Sequence, residues 1–222
     1  MKVLAMDTTT KSATVAVTEN GVLLGEFTLN SDKPHSQKIM PLAEDLLCEL
    51  GITTDDIDLY ACANGPGSFT GLRIGTAAIQ GFSQATGKPS VGVSTLEAMC
   101  ETLRKMTNDC ICPLIDAKRE QVYYALYKTD TEMIAPSMEN IDTVLAQIAC
   151  LNKKTVFIGD GAEIFREKIL SVSKDFSVCP SELNVNNAVG VALLAQRKFE
   201  KKESEMKPFP EYLIKSYVDD LK

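Results

Sequence analysis

Four glycines in the stretch Gly65-Pro66-Gly67-Ser68-Phe69-Thr70-Gly71-Leu72-Arg73-Ile74-Gly75 constrain the fold more than any other feature of the chain. The stretch joins an alternating apolar run, Ile57 to Ala63, to a helical pattern that begins near Leu72. Glycine reaches positive φ without a Cβ clash and lets another surface approach the backbone, so this junction is expected to expose unpaired N–H groups at a helix start. A helix start of that kind holds an anion or packs against a partner.

The surrounding pattern is that of an α/β lobe. Lys2 to Asp7, Ser12 to Thr18 and Val22 to Leu29 are rich in Val, Leu, Thr and Ala, and Asn20-Gly21 is a two-residue hairpin signal. Ser36 is placed to cap a helix in which Ile39, Leu42, Ala43, Leu46, Leu47 and Leu50 recur at the helical period, with Pro41 near its start and Gly51 as its stop. After Ile57 to Ala63, a second helix carries Ile74, Ala77, Ala78, Gly81, Phe82 and Ala85 and ends at Gly87-Lys88-Pro89. Farther on, Cys110 to Ile115 and Gln121 to Tyr127 read as strands around a Lys118-Arg119-Glu120 turn. Ile141 to Leu151 reads as a helix and Thr155 to Ile158 as a strand before Gly159-Asp160-Gly161. Ile164 to Leu170 and Asn186 to Lys201 read as helices. The polar stretch Lys105 to Asp109 is the expected boundary, giving a first lobe of 1–105 and a smaller second lobe of 106–222, with the option that the last helix packs back on the first. No internal repeat is visible in the residues.

Composition narrows the function classes. A chain of 222 residues that is 45% hydrophobic can bury a sizeable core. No apolar run approaches the roughly 20 residues that span a bilayer, and Asp7 comes too early for a secretory segment, so cytoplasm is the expected location and no membrane partner is expected. Seven cysteines without a Cys-x-x-Cys pair read as buried reduced thiols rather than a disulfide frame or zinc site. A net charge of −7 is wrong for holding a nucleic acid, whose phosphates are gripped by clustered Lys and Arg. The densest basic stretch, Arg197 to Lys207, is interrupted by Glu200, Glu203 and Glu205 and reads as a solvated helix end.

The glycine-rich string resembles the signature of the bacterial TsaB (YeaZ) family, whose members work with the paralogous transferase TsaD in making N6-threonylcarbamoyladenosine on tRNA. The resemblance continues in Val3-Leu4-Ala5-Met6-Asp7-Thr8-Thr9-Thr10, His35-Ser36, Val93-Ser94-Thr95-Leu96-Glu97-Ala98, Asp116-Ala117-Lys118-Arg119-Glu120-Gln121-Val122-Tyr123 and Tyr212-Leu213, in family order along nearly the whole chain. It implies the actin-like ATPase (ASKHA) fold, with two ββ(β)αβα-type lobes of which the second is reduced.

In enzymes of that fold a carboxylate at the place of Asp7 orients Mg²⁺ and hydroxyls such as those of Thr8 and Thr9 meet nucleotide phosphates. The glycine-rich turn of the second lobe corresponds to Gly159, Asp160 and Gly161, where Asp160 and Glu163 would bring two carboxylates toward the phosphates. Like charges at about 4 Å repel by about 1 kcal/mol in water and by more in a drier cleft. The expectation is a vestigial site with at most weak ATP or ADP binding and no cofactor required. The transferase paralogue resembles the chain around Val93 to Met99, but there two histidines at i and i+4 bind a metal. Here Thr95 and Met99 stand in those places, and a hydroxyl with a thioether does not replace two imidazoles. With His35 the chain's single histidine, no His-based metal site is expected.

Two enzyme readings compete: a small ASKHA phosphotransferase or ATPase using Asp7, and a peptidase-like hydrolase with Ser68 or Thr70 as nucleophile and His35 as base. The Gly-x-Ser-x-Gly elbow is absent from Gly67-Ser68-Phe69-Thr70-Gly71. Asp116, Arg119, Glu120 and Tyr123 form a polar cluster at a strand turn, read either as a hairpin held by local hydrogen bonds or as a functional group.

Ala77, Ala78, Gly81 and Ala85 form a small-residue stripe, read either as packing on its own sheet or as admitting a partner's helices at close range. The resemblance implies pairing through the first two helices, with Ile39, Leu42, Leu46, Ile74, Ala77, Ala78, Gly81, Phe82 and Ala85 as the face. The loop residues Gly65, Gly67, Ser68, Phe69, Thr70, Gly71 and Arg73 would position the second helix. The implied role is that of a non-catalytic subunit that binds and activates the TsaD-type transferase for t6A at position 37 of ANN-decoding tRNAs. The implied partners are the transferase as heterodimer, a TsaE-type ATPase, a second copy when alone, and tRNA only through the complex.

Overall fold

The computed structural model describes residues 1–202 and 208–213. The chain divides into two compact units, one built from Met1–Glu101 together with the chain from Asn186 onward through the last helix, the other from Thr102–Val185. The division falls at Glu101/Thr102 rather than at 105/106, and the last helix belongs to the first unit rather than the second.

The first unit is a five-stranded sheet of β1 (Lys2–Asp7), β2 (Ala13–Glu19), β3 (Val22–Leu29), β4 (Leu59–Gly65) and β5 (Ser90–Ser94) in the order β3-β2-β1-β4-β5. The β1–β2–β3 meander is antiparallel, turning at Asn20 and Gly21, both at positive φ, and β4 and β5 run parallel to β1. Period-two alternation sends Leu4 and Met6 to one face and Val3 and Ala5 to the other, and both faces are covered. On the Leu4 face lie α1 (His35–Glu49), through Ile39, Ala43, Leu46 and Leu47, and α2 (Phe69–Thr86), through Ile79. On the other face α3 (Thr95–Glu101) contributes Ala98, and α7 (Ala188–Glu200) contributes Ala188, Val191, Ala192, Leu194 and Ala195. Residues on that second face are mostly Ala and Val, and their small volume lets α7 lie close to the sheet.

Helix ends agree with the sequence signals in part. Gly51 and Gly87 take left-handed φ of 64° and 70° beyond α1 and α2, as stop residues should. Ser36 is not the cap of α1, which starts one residue earlier with Pro34 at the N-cap position and no side-chain cap. Strand β5 (SVGVS) and helix α3 (TLEAMCE) are additions, five and seven residues long and too short to show a period.

The second unit holds β6 (Cys110–Lys118), β7 (Gln121–Lys128), β8 (Thr131–Asn140), β9 (Thr155–Ile158) and β10 (Phe176–Val178) in the order β10-β9-β6-β7-β8. Counted along its own chain, this is the first sheet's arrangement again: an antiparallel meander with two parallel strands beside its first member. The duplication that no residue pattern revealed is therefore present in the topology, and the reduction lies in the helices. Its α4 (Ile141–Ala149), α5 (Asp160–Ile164) and α6 (Arg166–Val172) are short beside the 15 and 18 residues of α1 and α2. The core joins Cys110, Cys112 and Leu114 to Val144, Leu145, Ile148, Phe157 and Ile169. Strand β8 is an edge strand carrying Glu132, Pro136 and Glu139, residues that suit an edge and hide it from sequence inspection.

The start of the basic stretch proves to be paired. Arg197 reaches Glu97 at 3.2 Å and Glu101 at 2.6 Å, and Lys198 reaches Glu97 at 2.8 Å, so these cations fasten α7 to α3. Residues 203–207 of that stretch lie outside the described residues. Close backbone approach supports the same contact, since a Cβ on Gly190 would sit 2.1 Å from the Ala98 carbonyl oxygen. Replacing Gly190 by Ala is expected to force α7 away from α3 at a cost of about 1–3 kcal/mol. Urea unfolding of the variant should show the lowered midpoint with an unchanged slope.

Candidate functional site

The glycine-rich loop is built against the end of β1. A Cβ on Gly71 would lie 1.9 Å from the Thr8 carbonyl oxygen, one on Gly67 2.6 Å from that of Thr9, and one on Gly75 2.7 Å from the Thr8 hydroxyl. Ser68 N–H donates to the Thr9 carbonyl (2.7 Å), and the Thr8 hydroxyl donates to the Gly71 carbonyl (2.7 Å). Ser68 accepts the Gly71 N–H at 3.3 Å as the N-cap of α2. The expected open helix start is thus largely filled by the chain's own groups. Gly65 and Gly67 adopt φ of 143° and 157°, and the Gly65–Pro66 bond is cis. Phe69, Thr70 and Arg73 stay on the surface, with the Arg73 guanidinium 3.8 Å from the centre of the Phe69 ring.

Seating α2 in this way decides which side faces out. Ala77, Gly81 and Ala85 are exposed, one helical turn apart, in line with Arg73. A Cβ on Gly81 would meet nothing within 4 Å, so Ala77, Gly81 and Ala85 of the stripe face outward, while Ala78 packs on the core. Ile74, Ala78 and Phe82 are half-buried beside Leu42 of α1. Ile39 and Leu46 depart from expectation: at 1% and 2% exposure they face the first core and have no surface to offer a partner. Met40, Pro41 and Glu44 are exposed on α1 instead. Sequence periodicity located the apolar face of α1 correctly but could not tell core from interface.

The vestigial-site residues fall in different units. In the first, Asp7, Thr8 and Thr9 are buried at 1–2% exposure. Asp7 Oδ1 accepts the Thr9 N–H (2.8 Å) and the Thr9 hydroxyl (2.6 Å), while Oδ2 accepts Asn186 Nδ2 (3.0 Å). In the second, Gly159 (φ 113°) precedes α5, and Gly161 lies flat on β6, where a Cβ would be 3.0 Å from Leu114. The Asp160 carboxylate accepts the Asp116 N–H at 3.1 Å, and burial raises its pKa. Glu163 is held by Arg166 at 2.6 Å, Asn184 at 2.8 Å and Ser181 at 3.0 Å. The roles of Asn184 and Asn186 were missed in the sequence: Asn184 sits in a loop with no periodic signal, and Asn186, read as the first residue of the last helix, lies two residues before its start at Ala188.

The other candidate groups are tied up locally. His35 Nε2 donates to the Thr10 carbonyl at 2.8 Å, and burial lowers its pKa. Thr95 is fully buried and Met99 is 5% exposed, so both belong to the core of α3. Asp116 accepts the Lys118 N–H (2.9 Å) and ammonium (2.6 Å), and Lys118, Arg119 and Glu120 make the turn in left-handed conformations. Of the seven cysteines, Cys48 and Cys150 are exposed and the other five buried, a partial correction to the expectation of buried thiols. No helix of the described residues is long and apolar enough to cross a membrane.

Two expectations follow from this geometry. Gly71→Ala should destabilise the protein by several kcal/mol because Thr8 backbone cannot yield, whereas Gly81→Ala should stabilise the isolated chain by about 1 kcal/mol through helix propensity alone, both read by denaturant titration. Glu163 has its pKa depressed to about 2, from an ordinary 4.5, chiefly by the Arg166 hydrogen bonds. Its contribution is therefore present above pH 4.5 and fades as pH falls toward 2, and Glu163→Gln should flatten that acid limb of the stability curve.

Comparison with known proteins places this architecture. The family profile described as TsaD, tRNA N6-adenosine threonylcarbamoyltransferase, matches residues 22–218. The chain is 38% identical over 131 residues to the tRNA threonylcarbamoyladenosine biosynthesis protein TsaB of Escherichia coli, a match covering 59% of this chain and 56% of that protein. It is 30% identical over 190 residues to the protein of the same name from Buchnera aphidicola, covering 82% and 90% of the two chains. In structure it resembles YeaZ from Pseudomonas aeruginosa (TM-score 0.75, 23% identity, 96% and 99% covered). It also resembles the ROK hexokinase of Thermus thermophilus (TM-score 0.55, 11% identity, 90% and 100% covered), which marks the actin-like ATPase fold. With a profile matched over most of its length and a relative at 30% identity covered almost end to end, the chain belongs to the TsaB (YeaZ) family.

Proposed function

We propose that this chain acts in tRNA threonylcarbamoyladenosine biosynthesis as the non-catalytic subunit that binds and activates a TsaD-type transferase. The product is N6-threonylcarbamoyladenosine at position 37 of ANN-decoding tRNAs. The names of its relatives support the pathway. The observation that carries the subunit role is the outward ridge Ala77-Gly81-Ala85 on α2, with open space over Gly81. A surface helix that shows only hydrogen and methyl groups along one line lets a second helix approach to the short end of the 8–10 Å range. Flanked by the half-buried Ile74, Ala78, Phe82 and Leu42, the ridge suits a partner's helix pair, supplied by the paralogous transferase or by a second copy.

The chemistry then belongs to the partner. The positions at which the transferase carries metal-binding histidines are core positions here, and the net charge of −7 leaves the basic tRNA surface to be provided elsewhere in the complex. In this reading the chain needs no cofactor or metal of its own, binds ATP or ADP weakly at most, works in the cytoplasm, and meets a TsaE-type ATPase within the assembly.

Gly81→Arg and Ala77→Arg test the face. Ala77 is chosen over Ala78, which packs against the core. Each is expected to weaken homo- or hetero-association at least about a hundredfold, or about 2.7 kcal/mol, in sedimentation, and to abolish tRNA modification in a reconstituted mixture. Monomer stability should stay within about 1 kcal/mol, since neither site touches the core. Association that persists in both variants rules the face out.

A further inference from the structure

The actin-like fold implies a cation and nucleotide beside the carboxylate that ends β1, and the groups around Asp7 do not fit one. Magnesium takes a near-octahedral set of oxygens and draws on carboxylate lone pairs. Here those lone pairs face donors: the N–H and hydroxyl of Thr9 on Oδ1, at 2.8 and 2.6 Å, and the Asn186 amide on Oδ2, at 3.0 Å. The same Asn186 Nδ2 donates to Thr9 Oγ1 at 2.7 Å, so the hydroxyl gives its proton to Asp7 and receives one from the amide. Asp7 is 2% exposed, Thr9 1% and Asn186 1%. A cation entering this site would strip buried N–H groups of their acceptor, which is unfavourable. The Asn186 Oδ1 is buried without a donor among the described residues, and it adds one oxygen where six are needed.

We infer that the Asn186 side-chain amide stands where a cation would bind, making Asp7 an internal anchor for α7 rather than a ligand for a metal-bound nucleotide. The amide brings two N–H donors, one to Asp7 Oδ2 and one to the Thr9 hydroxyl, and the positive end of its dipole to a buried carboxylate. Its location gives the contact a mechanical consequence. Asn186 immediately precedes Asn187, which caps α7 through the Gly190 N–H at 2.8 Å, and the next residue, Ala188, donates its N–H to Thr14 of β2 at 3.1 Å. Three successive residues thus tie the start of α7 to β1, to its own first turn and to β2. Compensation of the carboxylate that an ion would supply only while bound is supplied permanently by a neutral hydrogen-bond donor, and α7 stays docked without an ion.

Thermal unfolding of the isolated full chain in EDTA and in millimolar MgCl₂ tests this, and it reads a property separate from association through α2. The wild-type midpoint should be the same in both, and Asn186→Ala should lower it by several degrees in both. Asn186→Asp puts a second carboxylate against Asp7. It should lose more than the alanine variant in EDTA and recover when Mg²⁺ is added, because binding to the folded state alone raises stability. A wild-type midpoint that climbs with Mg²⁺ overturns the inference, as does an aspartate variant as stable as wild type in EDTA or one that Mg²⁺ does not rescue. Should the aspartate variant fail to fold, the side-chain amide resonances of Asn186 in wild type decide: unmoved by Mg²⁺ they support the anchor, and shifted or lost they refute it.

Discussion

The first unit depends on one close contact, the seating of Gly67, Gly71 and Gly75 on the Thr8-Thr9 backbone. Only hydrogen fits at Gly71, whose Cα faces a carbonyl oxygen, so α2 can be brought onto the end of β1 without a spacer. Two hydrogen bonds at 2.7 Å hold it there, one from Ser68 N–H and one from the Thr8 hydroxyl. This contact sets the rotation of α2 about its axis, which puts Ile79 in the core and the Ala77, Gly81 and Ala85 ridge outside. The glycine-rich loop thus serves here to place a helix.

The same economy of small groups governs the other face of the sheet. Alanine and valine on β1, β2, β4 and β5 bring α7 close, and Gly190 against the Ala98 carbonyl brings α7 onto α3. Arg197 and Lys198 bind Glu97 and Glu101 at the far end, while Asn186 and Asn187 secure the near end. A helix from the end of the chain is thereby joined to strands from its beginning. The first cations of the stretch that reads in sequence as a solvated helix end, Arg197 and Lys198, are paired inside this arrangement.

How far the sequence could be read depended on whether a residue's role is local. The Asn20-Gly21 turn, the stops at Gly51 and Gly87, and the strands Lys2–Asp7 and Thr155–Ile158 were legible because backbone conformation and period-two burial are decided by near neighbours. Strands β8 and β10 were not: β8 is a polar edge strand whose pairing comes from β7, and β10 is too short to show a period. The candidate face was half legible. Ala77, Gly81 and Ala85 were identified and lie outside, but Ile39 and Leu46 share their helical periodicity with core residues and proved to be core. Periodicity reports that a face is apolar and says nothing about what covers it.

The sequence by itself determined that this is an α/β chain of the TsaB family, that a glycine-limited junction lies between β4 and α2, and that its only histidine could not pair with another. The α/β pattern, the junction and the lone histidine follow from residue types and their spacing along the chain, and the family from the resemblance of whole strings of residues. The repeated lobe was implied by the resemblance and the return of the last helix was left as an option; tertiary structure showed the second sheet's matching strand order, chose the first unit for α7, and alone decided that Asp7 is bound by an amide 179 residues away. Contacts of that kind join groups by distance in space, and nothing in the local pattern around either partner records the other.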